Sequence, residues 1–230
     1  MFCLIHGAWH DGSCWQPLEQ SLEFRGHQAV APDLPLEDPG KGFEQRARPA
    51  LDALEGVADP VVVVGHSAGS AYSPLVALAT PNSLLVHLCP RLGPFPPPPG
   101  APETFRKGFP SPADRPDGTS VWEVDAAVEA MYGRLPSKTA HEQARRLRPL
   151  APPAGKYPLP AHPDIPTALI YSTDDEFFEP AWERFMAREL LGIEPIEIAG
   201  GHFPMLEDPD ATADLLEHLA RDHLASIQNH

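Results

Sequence analysis

Apolar residues fall into two patterns along this chain. Short runs rich in β-branched residues or leucine, at Phe2–Ile5, Val61–Val64, Ser83–Cys89 and Ala168–Ser172, read as strands. Val61–Val64 and Ala168–Tyr171 are continuously apolar, as strands covered on both faces are. Gln28–Ala31 and Pro195–Ile198 read as further strands. Between the strands, apolar positions recur at helical spacing. Trp15, Leu18 and Leu22 follow the capping-box pattern Ser13-Cys14-Trp15-Gln16, and Gly26 ends that helix. Further helices are expected at about Phe43–Leu54, through Tyr72, Leu75, Val76 and Leu78, at Ala181–Leu191 and at about Asp210–Leu224. Pro49 should kink or shorten the second of these. Strands alternating with helices predict an α/β fold: a mostly parallel sheet with helices on both faces.

The rhythm breaks between Gly93 and about Pro166. Proline makes up 30 of the 230 residues, well above the roughly 5 % that is typical, and many fall here, beginning with PFPPPPGAP. Two helix candidates, Val121–Tyr132 and Thr139–Leu147, lie inside the stretch. The expectation is a core of residues 1–92 and 166–230, with 93–165 inserted as a cap. A proline-rich ligand for SH3-type modules is the weaker reading, because the run sits between strands of one folded unit.

A formal charge of −15 speaks against nucleic acid or an anionic membrane as partner and in favour of solubility. Cys3, Cys14 and Cys89 have neither disulfide nor metal spacing, so buried free thiols are expected, in a reducing compartment. With no apolar stretch near the roughly 20 residues of a membrane span, a cytoplasmic protein is expected.

Val61–Val64 runs directly into Gly65-His66-Ser67-Ala68-Gly69. A serine hydroxyl is a poor nucleophile unless a positioned base removes its proton. A sharp strand-to-helix turn lifts the serine above the sheet, and flanking glycines remove the side chains that would collide there. His6-Gly7-Ala8-Trp9 follows the first strand, Asp174-Asp175 follows ALIYST, and Gly200-Gly201-His202 follows PIEIA. Serine, acid and base thus come in the order of a hydrolase triad, each at a strand's C-terminal end. Either aspartate could be the acid, since neighbouring residues at a strand end point to opposite sides.

HGAWH, GHSAGS, STDDEFFEP and GGHFPMLEDPD together resemble a serine α/β-hydrolase. Within that group they are similar to the plant methylesterase and hydroxynitrile lyase branch and its bacterial relatives. The resemblance covers residues 1–90 and 166–226 and leaves the cap without a counterpart. It implies Ser67 as nucleophile, His202 as base and Asp175 as the acid, because relatives carry the acid after Thr-(Asp/Glu). It also implies an oxyanion hole from the N–H groups of Ala8 and Ala68, ester hydrolysis through an acyl-enzyme, and no cofactor or metal.

A small molecule is the expected partner, contacted by His66, Trp122, Met131, Tyr132 and Phe203. Packing roles for His66, Trp122, Met131 and Tyr132 weigh equally. His6 and His10 flank a glycine loop without a zincin glutamate, which argues against a metal. Asp33 reads as a turn residue, and Arg145, Arg146 and Arg148 as a solvated helix face. Lyase chemistry is disfavoured by Phe203, where cyanohydrin-cleaving relatives carry lysine, and by His6-Gly7. Carbon–carbon hydrolysis and ligand binding without turnover stay open, and oligomeric state is not readable.

Overall fold

The computed structural model describes residues 1–93, 95–108 and 110–228. Six strands form one parallel sheet in the spatial order Ala29–Val30, Phe2–Ile5, Val62–His66, Leu84–Leu88, Thr167–Ser172 and Ile196–Ile198. They are β1 (Phe2–Ile5), β2 (Ala29–Val30), β3 (Val62–His66), β4 (Leu84–Leu88), β7 (Thr167–Ser172) and β8 (Ile196–Ile198). β1, β3 and β4 are buried at every position, which is why their apolar runs do not alternate. One core cluster unites Phe2, Leu4, Val62, Val64 and Val86 with helices α1 (Gln16–Phe24) and α8 (Pro209–Gln228). Cys3, Ile5, Val61, Val63 and Leu85 pack against α2 (Phe43–Ala53) and α3 (Ser73–Ala79) on the opposite face. Helix α6 (Pro180–Leu191) closes a third cluster with Leu169 and Tyr171.

Register fixes what the sheet presents. Ile5 pairs with Gly65, His66 with Leu88, Leu88 with Ile170, and Ser172 with Ile198, so these strands end on one edge. The segments after β1, β3, β7 and β8 leave from that edge together, where α/β sheets carry their sites.

Three local expectations differ. The first helix is opened by Asp11, not Ser13: Asp11 accepts from the Ser13 N–H at 2.9 Å and caps a 3₁₀ turn, Gly12–Trp15, leading into α1. Helix α2 continues through Pro49 for four more residues and ends at Ala53. Arg148 is not on a solvated face. Its Nη2 donates to the carbonyls of His10 and Leu34, at 2.9 and 3.3 Å.

Between β4 and β7 lie the two-stranded ribbon β5 (Ala113–Asp114) and β6 (Ser120–Val121), then α4 (Val124–Met131) and α5 (Ser137–Arg146). Trp122, Ala127, Met131, Tyr132 and Ala140 from this stretch join the cluster that holds Phe177, Phe178 and Phe203. Pro94, in the proline-rich run, lies outside the described residues. All three cysteines are buried and free. Among the described residues, no helix is long and apolar enough to cross a membrane.

Candidate active site

Ser67 leaves β3 with φ +49, a strained value for a residue with a side chain. The turn is possible because its flanking positions are glycine. A Cβ on Gly65 would lie 2.2 Å from Ser73 Oγ, and one on Gly69 would lie 2.5 Å from the Ile5 carbonyl oxygen. Ser67 opens the 3₁₀ turn Ser67–Ala71, and Ala68 follows in its first turn, where N–H groups have no acceptor within the helix.

His202 stands in the loop between β8 and the short helix α7 (Pro204–Glu207). Its Nδ1 lies 2.7 Å from Asp175 Oδ2, and both side chains are buried. The carboxylate can only accept, so Nδ1 carries the hydrogen, and in the neutral ring the lone pair is on Nε2. Asp175 Oδ1 accepts from the N–H groups of Phe177 and Phe178, at 2.7 and 2.9 Å. Asp174 turns outward, and its Oδ2 lies 3.8 Å from Arg134. The backbone around His202 is held by two glutamates. Glu176 accepts from the His202 N–H and Glu207 from the Gly201 N–H, each at 2.9 Å.

Ser67 and His202 border the same cavity, together with Gly7, Ala8, Trp9, His10, His66, Met131, Phe177 and Phe203. Its volume is about 10 Å³, room for about one water. Among the described residues, none hydrogen-bonds Ser67 Oγ; such contacts often tighten only when substrate binds. Of the five expected contact residues, His66, Met131 and Phe203 are in the lining. Trp122 and Tyr132 stand behind it, Trp122 edge-on to Trp9 and Tyr132 against Phe203 and His10. His66 is tied down as well, since its Nε2 donates to the His202 carbonyl at 2.8 Å. Burial, with His202 adding to it, holds the His66 pKa well below the ordinary histidine range.

The other two histidines of this region, His6 and His10, are buried and hydrogen-bonded. His6 Nε2 accepts from the Leu34 N–H at 2.9 Å, leaving Nδ1 to donate to the Gly7 carbonyl. Burial lowers the pKa values of His6 and His10 to about 4, so both are neutral and each ring has one donor and one acceptor. Cys89 Sγ, Asp175 and His202 cluster within 4.8 Å. Burial keeps that thiol protonated, and it pairs with Ser172 Oγ at 3.3 Å. A larger cavity of about 730 Å³ opens on the far side of the His202 loop, between Ile170, Ile198 and α8. Among the described residues its one hydroxyl, on Thr212, donates to the Asp208 carbonyl at 2.8 Å, and no histidine lines it, so the small cavity at Ser67 is the chemical candidate.

Sequence reading missed Glu176, Glu207 and His10 as parts of this site. Glu176 reaches the His202 N–H across 26 residues and His10 meets the Tyr132 hydroxyl across 122, while Glu207 reaches the Gly201 N–H from six residues away; none of these contacts follows a helical or strand period.

Known proteins match most of the chain. A pyrethroid hydrolase of Sphingobium wenxiniae is 27% identical over 245 residues, spanning 94% of this chain and 86% of its own length. The solved polyneuridine aldehyde esterase superposes with a TM-score of 0.73 at 19% identity, covering 95% of this chain and 98% of that one. Tomato methylketone synthase I, solved with beta-ketoheptanoate, gives a TM-score of 0.71 at 16% identity, over 96% and 98% of the two chains. These two structures share the fold. Residues 4–215 match the alpha/beta hydrolase family, and the chain belongs to that family.

Proposed function

We propose that the protein hydrolyses a carboxylic ester of a small, largely apolar molecule, with Ser67, His202 and Asp175 as its triad. The observation that carries the reading is the strained Ser67 sharing a cavity with His202, whose Nδ1 is held 2.7 Å from buried Asp175. In this reading His202 Nε2 takes the Ser67 proton as Oγ attacks the ester carbonyl carbon. The N–H groups of Ala8 and Ala68 receive the developing oxyanion. The tetrahedral intermediate collapses, and the leaving alkoxide departs with the proton held by His202. Water, deprotonated by the same nitrogen, then attacks the acyl-enzyme and releases the acid, restoring Ser67.

The aromatic lining from Trp9, Phe177 and Phe203 favours an apolar acyl or alcohol group. The similarity to a protein named as a pyrethroid hydrolase supports an ester substrate. A second, shorter match points the same way: 33% identity over 76 residues to the carbendazim hydrolyzing esterase of a Nocardioides species, spanning 30% of this chain and 31% of that one. In this proposal residues 93–165 act as the cap, and Met131 is the cap residue that closes on Ser67. Buried free thiols fit a reducing, cytoplasmic setting.

A fluorophosphonate probe tests the nucleophile. Wild type should be labelled once and should turn over p-nitrophenyl esters, and Ser67→Ala should lose both without losing its fold. Labelling that persists in the alanine variant overturns the assignment.

A further inference from the structure

We propose that Tyr132, acting through His10, is a positioning residue for the oxyanion loop, so that seating α4 over the site and completing the oxyanion hole are one event. The proposal rests on the ester-hydrolase reading above and names a part of that machinery which the triad does not include.

The tie is a chain of two short hydrogen bonds. His10 Nδ1 lies 2.6 Å from the Ala8 carbonyl oxygen, and His10 Nε2 lies 2.6 Å from the Tyr132 hydroxyl. A carbonyl only accepts, so Nδ1 bears the hydrogen of the neutral ring. Nε2 is then the acceptor, and the Tyr132 O–H donates. The reverse arrangement would set the Nδ1 lone pair against the Ala8 carbonyl. Tyr132 thereby selects the tautomer that grips Ala8. Both side chains are buried, and both rings pack on Phe203, so neither can easily swing to another partner.

The loop needs such a grip because it is strained. Trp9 has φ +61, a conformation that a bulky residue rarely adopts and that persists only when its surroundings enforce it. Those surroundings come from the inserted stretch. The Arg148 N–H donates to the Trp9 carbonyl at 2.7 Å, and Trp9 Nε1 donates to Ser120 Oγ at 3.1 Å. Arg148 Nη2 takes the His10 carbonyl at 2.9 Å. The carbonyls of Ala8, Trp9 and His10 are thus all engaged by Arg148 or by the ring that Tyr132 orients.

Access connects the tie to turnover. The cavity at Ser67 is about 10 Å³, too small for an ester group, and Met131 lines it. Tyr132 is the next residue, the C-cap of α4. A displacement of α4 that admits substrate therefore pulls on the Tyr132–His10 bond. The N–H of Ala8 regains its position when the bond re-forms. The Tyr132 hydroxyl has its partner in His10, which distinguishes this role from direct contact with substrate.

The test is a double-mutant cycle in the full chain, with a p-nitrophenyl ester as substrate. Tyr132→Phe removes only the hydroxyl. His10→Asn keeps a donor near Nδ1 for the Ala8 carbonyl but offers Tyr132 nothing to donate to. Tyr132→Phe is expected to lower kcat about 10-fold or more, in the direction of losing an oxyanion donor. KM should stay within about 2-fold. In the His10→Asn background the same change should cost less than about 2-fold. Affinity for an aryl trifluoromethyl ketone, which adds Ser67 Oγ to form an oxyanion, should fall in parallel with kcat. Equal losses in both backgrounds, a rise in KM with kcat unchanged, or a lower melting temperature with kcat unchanged would each overturn the proposal. If Tyr132→Phe does not fold, His10→Ala, which leaves the Ala8 carbonyl without its donor, decides instead, since wild-type kcat in that variant overturns the proposal. A wild-type protein that is neither labelled at Ser67 nor active sinks the ester-hydrolase reading instead.

Discussion

At Asp175 one carboxylate oxygen takes His202 Nδ1 at 2.7 Å while the other takes two backbone N–H groups. Its neighbour Asp174 has a side chain 59% exposed. The two substitutions should therefore separate cleanly in kcat on one ester. Asp175→Asn should lose on the order of 10²–10⁴, by analogy with the handicapped tautomer of a serine protease carrying that change. Asp174→Asn should cost little, and the reverse ranking would move the acid to Asp174. Glu183 makes a different prediction. It is fully buried on α6, and neither carboxyl oxygen has a hydrogen-bond partner. Burial, with the charge of Asp175 adding to it, pushes its pKa well above the ordinary carboxylate range. Above that range the unfolded chain releases this proton and the folded chain keeps it. The folded state then binds more protons, so stability falls as pH rises. Glu183→Gln should gain on wild type from mildly acid pH upward, by at most about 1.4 kcal/mol per pH unit. Urea unfolding at several pH values measures it, and a pH-independent difference would show Glu183 ionised in the fold.

Among the elements, the elbow and the histidine loop both depend on glycine, for different reasons. A Cβ on Gly69 meets the carbonyl oxygens of Ile5 and His6 at 2.5 and 2.7 Å. These are backbone atoms of β1 and the residue after it, and they cannot move without parting the elbow from the sheet. Gly69→Ala should destabilise the whole protein by about 1–3 kcal/mol or more, read by urea unfolding. A Cβ on Gly201 meets Glu207 Oε1, Arg134 Cδ and Glu176 Oε1 at 2.5, 2.6 and 2.7 Å. All three are parts of flexible side chains and can give way. They also include the carboxyls that hold the Gly201 and His202 N–H groups. Gly201→Ala should therefore lower kcat more than it lowers the melting temperature. An alanine variant with wild-type kcat would show that the two glutamates are not needed to place His202.

For the whole molecule, the small size of the cavity makes the segment between β4 and β7 decisive. Met131 is 2% exposed and lines the cavity at Ser67 from α4. Met131→Ala should shift kcat/KM toward longer acyl chains, measured on a graded series of p-nitrophenyl esters, while costing about 2–5 kcal/mol of stability. An unchanged chain-length profile would mean that selectivity is set elsewhere. The same segment is locked to the sheet domain by buried Arg46 on α2. That guanidinium donates to the carbonyls of Ala151, Asp38 and Pro152, at 2.9, 2.8 and 3.1 Å. Although its Nε has no partner among the described residues, this buried cation, bonded to three carbonyls, holds two distant stretches in register.

The alternation of apolar runs determined the parallel sheet by itself, because strands such as Val61–Val64, covered on both faces, must be apolar at every position. Gly-x-Ser-x-Gly was legible for the same kind of reason: Gly65 and Gly69 answer to backbone a few residues away or on the neighbouring strand. The strand-end positions of Asp175 and His202 were readable too, since each follows an apolar run directly. Local pattern misplaced the first cap at Ser13, and Pro49 lies inside α2 without ending it. Only the tertiary structure decided that Arg148 and Tyr132 belong to the loop carrying Ala8, more than a hundred residues earlier. It also decided that Trp122 stands behind Trp9 instead of lining the cavity, and that Glu183 is buried near Asp175. Periodicity reports which face a residue turns inward. A hydrogen bond from a side chain to a distant carbonyl depends on how two loops meet, and no repeat along the chain encodes that meeting.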